Sequence, residues 1–419
     1  MVVKKMNIVK SMGIYTGANL LNAAIPFLFL PLLTNYLSTE DYGILSNFNV
    51  LANLMVPFVG FNLMASVQIQ YLKKEVDNQV YLSSSMRLVL ALSVVLTLLM
   101  FCVGGWLENN IGVPKEFLCF IALYAMFNVV SEVLLAIWRM EDKAINYGVF
   151  RVLRTIIEVS LVLFFIVKMK MNFEGTIYAL LISYLAACIG AFFILWRKNL
   201  LFGNFNIAFV KHALNYGLPL IPHTLSGVAI MYSDKLILTY YWGLSANGIY
   251  AVGFMVGQMI GLLQNSFNQA WVPWVFQKLK TGNLTDKKRM VKITYLYIVA
   301  ILCAVFVLWA IIPFIYSFLG KDFQAGIDLV LYIALGFAFN GMYKMVSVYI
   351  FYIEKTKIIA YTSVGVALLN IALNFYLIPI YHAQGAAIAT MIAMAFQFVV
   401  TWWVSSRIYK MPWNLKKAK

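Results

Sequence analysis

The sequence predicts an all-α polytopic membrane protein of about twelve transmembrane helices, arranged as two pseudo-symmetric six-helix lobes. Three observations predict it. Of 419 residues, 63% are hydrophobic and only 11% charged, whereas soluble domains carry roughly 45–50% apolar and about 25% charged residues. The apolar residues gather into runs close to the ~20 residues that cross a bilayer as a helix. The first half of the chain is also echoed in the second at a nearly constant offset. Together these exclude a soluble enzyme, a secreted disulfide scaffold, a disordered chain and a single span anchoring a globular domain. Mean hydropathy is +0.83.

In chain order the first six spans are Gly13–Tyr36, Gly43–Ile69, Met86–Leu107, Phe117–Trp138, Tyr147–Val167 and Gly175–Trp196. A hydrophilic stretch with Arg197, Lys198 and Lys211 separates them from Leu214–Tyr241, Gly248–Phe276, Val291–Phe318, Ile327–Ile353, Ile358–Ile380 and Ala383–Ile408. The expected division is residues 1–200 for the N-lobe with helices 1–6, and 201–419 for the C-lobe with helices 7–12. Lys4, Lys5 and Lys10 precede an apolar run without a small-residue cleavage site, so the first run reads as a retained helix.

The net charge of +16 would suggest nucleic acid in a soluble protein, but here its placement along the chain decides its meaning. With the N-terminus inside, 26 of the 32 basic residues fall on the inner side and four (Lys115, Lys168, Lys170, Lys321) on the outer. That is the positive-inside pattern, with both termini cytoplasmic and no nucleic-acid partner. Cys102, Cys119, Cys188 and Cys303 lie in apolar runs without paired spacing and read as small core residues. No phosphate-binding glycine loop and no paired-histidine metal motif is present. No catalytic residue, cofactor or metal site is expected.

The repeat has two anchors. Leu33-Thr34-Asn35-Tyr36-Leu37 and Gly43-Ile44 correspond to Leu238-Thr239-Tyr240-Tyr241-Trp242 and Gly248-Ile249 at an offset of 205, which also carries Asn53 onto Gln258. Gly175–Ala179 corresponds to Gly385–Ala389 at an offset of 210. Six spans is an even number, so both halves have the same orientation, and the expected symmetry axis runs along the membrane normal with a cavity between the lobes. Gly43 and Gly248 would then serve tight turns at the starts of helices 2 and 8.

Several of these segments resemble a known family. They are Ile25-Pro26 through Thr34, Ser38-Thr39-Glu40-Asp41-Tyr42-Gly43-Ile44, and Tyr216-Gly217-Leu218-Pro219 through Ser233-Asp234-Lys235-Leu236 with Gly248-Ile249-Tyr250. Asn374 through Pro379 with Gly385-Ala386-Ala387 completes the set. The pattern resembles the Wzx-type O-antigen and polysaccharide flippases of the multidrug/oligosaccharidyl-lipid/polysaccharide (MOP) exporter superfamily, whose fold is MATE-like. The resemblance implies translocation of an undecaprenyl-pyrophosphate-linked oligosaccharide, an O-antigen or capsule repeat unit, from the cytoplasmic to the periplasmic leaflet of a bacterial inner membrane. It also implies alternating access, a coupling ion (H⁺ or Na⁺), contact with membrane lipids, and downstream polymerase and chain-length proteins. Lipid II flippases carry two further helices, which favours O-antigen or capsule units here.

Independently of the family, charges inside spans mark function, because each costs about 2.5–3.5 kcal/mol at a helix centre on insertion scales. Glu132, Arg151, Arg154, Glu158, Asp234, Lys235 and Lys344 qualify. Glu132 lies about as far before the inner end of the fourth span as Arg151 and Arg154 lie beyond the start of the fifth, which brings them to one depth. Arg154 and Glu158 are spaced i,i+4 and can pair. The group reads either as a basic recess for pyrophosphate, suited to the planar guanidinium, or as a structural ion-pair cluster. Lys344 has no acid nearby in sequence, which points to an anion. Asp234-Lys235 reads as substrate contact or as a structural pair. Glu132, Glu158 and Asp234 are each candidates for the coupling ion.

A softer signal is a set of amides: Asn49 with Asn53, Gln258, Gln264 with Asn268, and Asn265 with Gln269. These suit sugar hydroxyls or interhelical hydrogen bonds. Gly253, Gly257 and Gly261 read as a packing ridge. Pro26, Pro31, Pro57, Pro219, Pro222, Pro273 and Pro313 mark kinks, and His223 reads as a hydrogen-bonded core residue. Two competing functions are a multidrug or cation antiporter of the same superfamily, which would want a cavity rich in acids, and a polytopic cell-envelope enzyme. The short outer loops oppose the enzyme.

Overall fold

A computed structural model describes residues 8–61, 63, 66–67, 71, 77–218, 221–281 and 283–414. All regular structure among them is helical: α1 (Ile8–Tyr36), α2 (Thr39–Gly60), α3 (Asn78–Ile111), α4 (Lys115–Met140), α5 (Ala144–Val162), α6 (Phe173–Arg197), α7 (Ile207–Gly217), α8 (Ile221–Gly257), α9 (Met259–Thr281), α10 (Leu284–Tyr316), α11 (Ile327–Tyr352) and α12 (Thr356–Ile408). A π-helical turn, Leu163–Lys168, extends α5, and a 3-10 segment, Lys321–Gly326, leads into α11. Pro219, Lys73 and Lys74 lie outside the described residues, as does the side chain of His223.

Among the described residues, eight segments are long and apolar enough to cross a membrane. Two of them, Thr224–Lys280 and Lys357–Ile408, are 57 and 52 residues long, far more than a bilayer requires. Each is interrupted by one residue with non-helical backbone, Gly243 and His382, and so supplies two crossings. α1 and α5 with its π-helical extension complete the twelve; the charges of Arg151, Arg154 and Glu158 keep α5 from passing as uniformly apolar.

The breaks obey the repeat. The 205-residue offset carries Ser38, which caps α2 through its side chain on Asp41 N, onto Gly243. The 210-residue offset carries Asn172, the residue before α6, onto His382. α3 and α10 also correspond, since the first offset takes 78 and 111 to 283 and 316. Only 22% of the apolar window of each is buried inside the protein, and their exposed rows (Leu98 and Phe101, Phe306 and Val307) have the character of lipid-facing surface.

Three expectations change. Gly43 and Gly248 lie within helices, and it is Gly243, at φ +81°, that takes the left-handed conformation at the α8 turn. α2 stops at Gly60 instead of Ile69, because Phe61 adopts a left-handed cap (φ 42°) whose N–H bonds Pro57 O. Third, the described residues group into compact units that share α1 and α8: one runs up to Leu28 and over Tyr36–Val228, and the other comprises Phe29–Asn35 and the chain from Ala229.

In the first unit, α4 packs against α2, α3 and α6, and α5 packs against α6. The core includes Val59, Tyr81, Leu134, Trp138, Tyr147 and Leu195. Residues 201–213 are sewn to the start of α3: Arg87 donates to Gly203 O, Ser83 and Ser84 accept from Gly203 N and Asn206 N, and Tyr81 meets His212. These bonds place the hydrophilic stretch after α6 in this unit. In the second unit, α11 packs against α9, α10 and α12. The last turn of α1 joins it, with Asn35 donating to Phe318 O and Gly320 N to Thr34. The glycine ridge packs as expected: a side chain at Gly257 would stand 2.6 Å from Ile333 and one at Gly261 2.9 Å from Phe337.

Candidate functional site

The first unit brings α4 and α5 together as their short connection requires. Arg151 Nη2 lies 3.1 Å from Glu132 Oε1, so the two share one depth. Arg154 sits one turn further along α5. Its guanidinium lies over the ring of Tyr184 from α6, 4.3 Å from the centroid, and Glu158 Oε2 is 4.0 Å from its Nη1. Tyr184 in turn packs on Tyr124, with ring centroids 4.7 Å apart. Both arginines keep partial access to the surface. Two cations and two acids make the group neutral in sum. Its distinguishing feature is a guanidinium within cation–π distance of an aromatic ring, and hydropathy and spacing did not reveal Tyr184 as its partner.

The second unit holds a buried polar network around Asp234. Its carboxylate is fully buried and accepts from Tyr250 Oη, from Thr390 Oγ1 at 3.4 Å and from Lys235 N at 2.8 Å. Asn370 extends the network to Thr390, Ser233 and Asn374. Asn374 Oδ1 is buried without a hydrogen-bond partner among the described residues. Lys235 points elsewhere, its ammonium 4.4 Å from the Phe254 centroid and 5.1 Å from that of Tyr232. Adjacent residues project ~100° apart on a helix, which is why this pair does not close on itself. Asn370 and Asn374 were readable as amides one turn apart in an apolar run; their meeting with Asp234 was not.

Lys344 on α11 hydrogen-bonds Asn265 Oδ1 at 2.5 Å. No carboxylate lies within ion-pair distance of it among the described residues. Beside it Gln264 donates to Asn340 at 3.1 Å, and Gln264 Oε1 is buried without a hydrogen-bond partner among the described residues. A lysine supported only by neutral amides carries net positive charge. The other amides divide. Asn53 donates back to Asn49 O within α2, and Asn49 is exposed. Gln258 and Asn268 are half-buried, while Asn265 and Gln269 are exposed.

A family model described as "Polysaccharide biosynthesis protein" matches residues 8–279. The chain belongs to this family. A polysaccharide biosynthesis family chain of this kind is 28% identical over 374 residues to an uncharacterized membrane protein of Haemophilus influenzae, covering 86% of this chain and 87% of the relative. Its fold is shared with the lipid II flippase MurJ in an inward closed conformation (TM-score 0.76, 17% identity, 93% of this chain and 87% of that one). It is shared too with an inward-facing multidrug resistance MATE family transporter of the MOP superfamily (TM-score 0.68, 16% identity, 99% and 97%). The protein is therefore a membrane protein of the polysaccharide biosynthesis family with the twelve-helix MATE-like fold.

Proposed function

We propose that this protein is a flippase, not an enzyme, which moves an undecaprenyl-pyrophosphate-linked oligosaccharide from the cytoplasmic to the periplasmic leaflet by ion-coupled alternating access. The observation that carries the reading is Lys344: a cation in a membrane-spanning helix with no carboxylate at ion-pair distance among the described residues, next to Asn265, Gln264 and Asn340. Such a site suits an anionic head group flanked by sugar hydroxyls. The family's link to polysaccharide and the fold shared with a lipid II flippase support the same substrate class. Arg154, beside the ring of Tyr184, is the second candidate for phosphate. Lys235 and Arg151 are weaker ones, being enclosed by rings and paired with Glu132 respectively.

For the coupling ion we favour Asp234 over Glu132 and Glu158, both of which have an arginine at hand. Carboxylate, hydroxyl and amide oxygens from Asp234, Thr390, Asn370 and Asn374 form an oxygen-only set that suits a hard cation or a proton. In this reading the protein lies in a bacterial inner membrane with both termini cytoplasmic, and hands its product to polymerase and chain-length proteins.

The test is complementation of a deletion strain. Wild type should restore surface polysaccharide, while Lys344→Ala at equal expression should leave the lipid-linked unit accumulating on the cytoplasmic side. Full export by Lys344→Ala would overturn the assignment. The antiporter alternative predicts instead that deletion sensitises cells to organic cations with the surface glycan intact.

A further inference from the structure

The end of the second unit opposite the basic 278–292 segment holds a cavity of about 570 Å³. It is formed where α10 finishes, α11 begins and α12 restarts after His382. Trp309 and Ile312 come from α10, Asp328, Leu331 and Tyr332 from α11, and Gln384 from α12. α10 ends at Tyr316 and α11 starts at Ile327. Asp328 and Gln384 therefore sit level with the helix ends, while Trp309 lies about 10 Å deeper at 1.5 Å per residue.

The cavity is thus polar at its rim and apolar below, the profile of an amphiphile entering from the membrane surface. Its deep side is continuous with lipid-facing surface, since Trp309 is 50% exposed in line with Phe306 at 65% and Leu302 at 40% on the same helix. A sugar or another water-soluble ligand has no use for that continuity. Asp328 forms no hydrogen bond or ion pair with any described residue. Its first-turn position on α11 explains an acid at that helix end, but not the two aromatic rings that share the cavity with it. No basic residue among the described ones lines the cavity, which disfavours head groups carrying only negative charge. Tyr332 follows Asp328 by one turn on α11, and a carboxylate beside an aromatic ring is the chemistry that recognises an ammonium ion.

We propose that this cavity is a binding site for a zwitterionic aminophospholipid of the ethanolamine type. The ammonium meets Asp328 beside Tyr332, the Gln384 amide donates to the phosphate, and the acyl chains run down α10 past Trp309 and Phe306. The site is separate from Lys344 and Asp234, and it stands or falls independently of the transported substrate.

The test is native mass spectrometry of the purified full-length protein given phosphatidylethanolamine and phosphatidylglycerol in equal amounts. Wild type should retain phosphatidylethanolamine about threefold over phosphatidylglycerol, the margin of an ammonium–aromatic contact at an exposed rim. Asp328→Asn should lose that preference with an unchanged melting temperature, and Gln384→Ala should weaken it. Equal retention of the two lipids by wild type would overturn the proposal, as would a preference that survives Asp328→Asn. Displacement of the lipid by millimolar glucosamine would also overturn it, since the cavity would then take a soluble amino sugar.

Discussion

Arg154 lies over the ring of Tyr184, its guanidinium carbon 4.3 Å from the ring centroid, and this contact spans α5 and α6 within one unit. Glu158 stands at 4.0 Å, the limit of an ion pair. Arg154→Lys keeps the charge but loses the plane and the fork of donors. If Arg154 handles phosphate, surface polysaccharide in Arg154→Lys and in Tyr184→Leu should fall by about tenfold, the worth of one lost charge-assisted hydrogen bond. Blotting of the membrane fraction should show unchanged protein. Loss of protein in step with loss of glycan would mark the stack as structural.

Lys344 and Asn265 allow a test of sign. Asn265→Asp would set a carboxylate 2.5 Å from the ammonium and neutralise the site with almost no change in shape. Export should drop in Asn265→Asp and in Lys344→Ala, and largely survive in Lys344→Arg. Quantified surface glycan in the complemented deletion strain checks all three.

Asp234→Asn keeps the size of the side chain and removes its charge. Export should then lose its dependence on an imposed Na⁺ or proton gradient in vesicles; which gradient matters in the wild type identifies the ion. Asp234→Ala also strands the Tyr250 hydroxyl in the core, and an orphaned buried donor costs about 1–3 kcal/mol. A lower melting temperature is expected for Ala than for Asn.

Outside the spans, Glu141 accepts from Tyr71 and from Lys198, and pairs with Lys143. Burial pushes its carboxyl up, but the hydrogen bonds from Lys143, Lys198 and Tyr71 outweigh it and hold the group below its ordinary value of 4.5. A depressed carboxyl stabilises the fold fully above that ordinary value and loses its contribution as pH falls through the depressed one. The melting temperature of purified protein should therefore decline on acidification below about pH 4.5, and Glu141→Gln should flatten the decline. An identical pH profile in the variant would show that this cluster contributes nothing.

Gly257 meets Ile333 so closely that an added β-carbon would stand 2.6 Å from its Cγ2 and 3.2 Å from Ala334 N. Overpacking of this kind costs about 1–3 kcal/mol. Gly257→Val should lower the melting temperature, whereas Gly227→Ala, where nothing lies within 4 Å, should not.

The amino-acid sequence by itself determined the class of protein, the number of crossings and the duplication. All three rest on one-dimensional quantities: the length of apolar runs, the spacing of charges and the recurrence of Thr34 and Gly43 as Thr239 and Gly248. It also isolated the few charges worth explaining, because a charge in an apolar run is conspicuous whatever surrounds it. It misplaced the turn glycine by five residues, since the residue needing a left-handed backbone, Gly243, lies outside the matching motif. Partners were beyond it. That Arg154 meets Tyr184, that Asp234 turns to Tyr250 and Thr390, and that Lys344 meets Asn265 are matters of which helix faces meet. Tyrosines and amides are too common in this chain to stand out until packing selects them. A charge in a membrane can be priced from the sequence, but only the tertiary structure decides what offsets it.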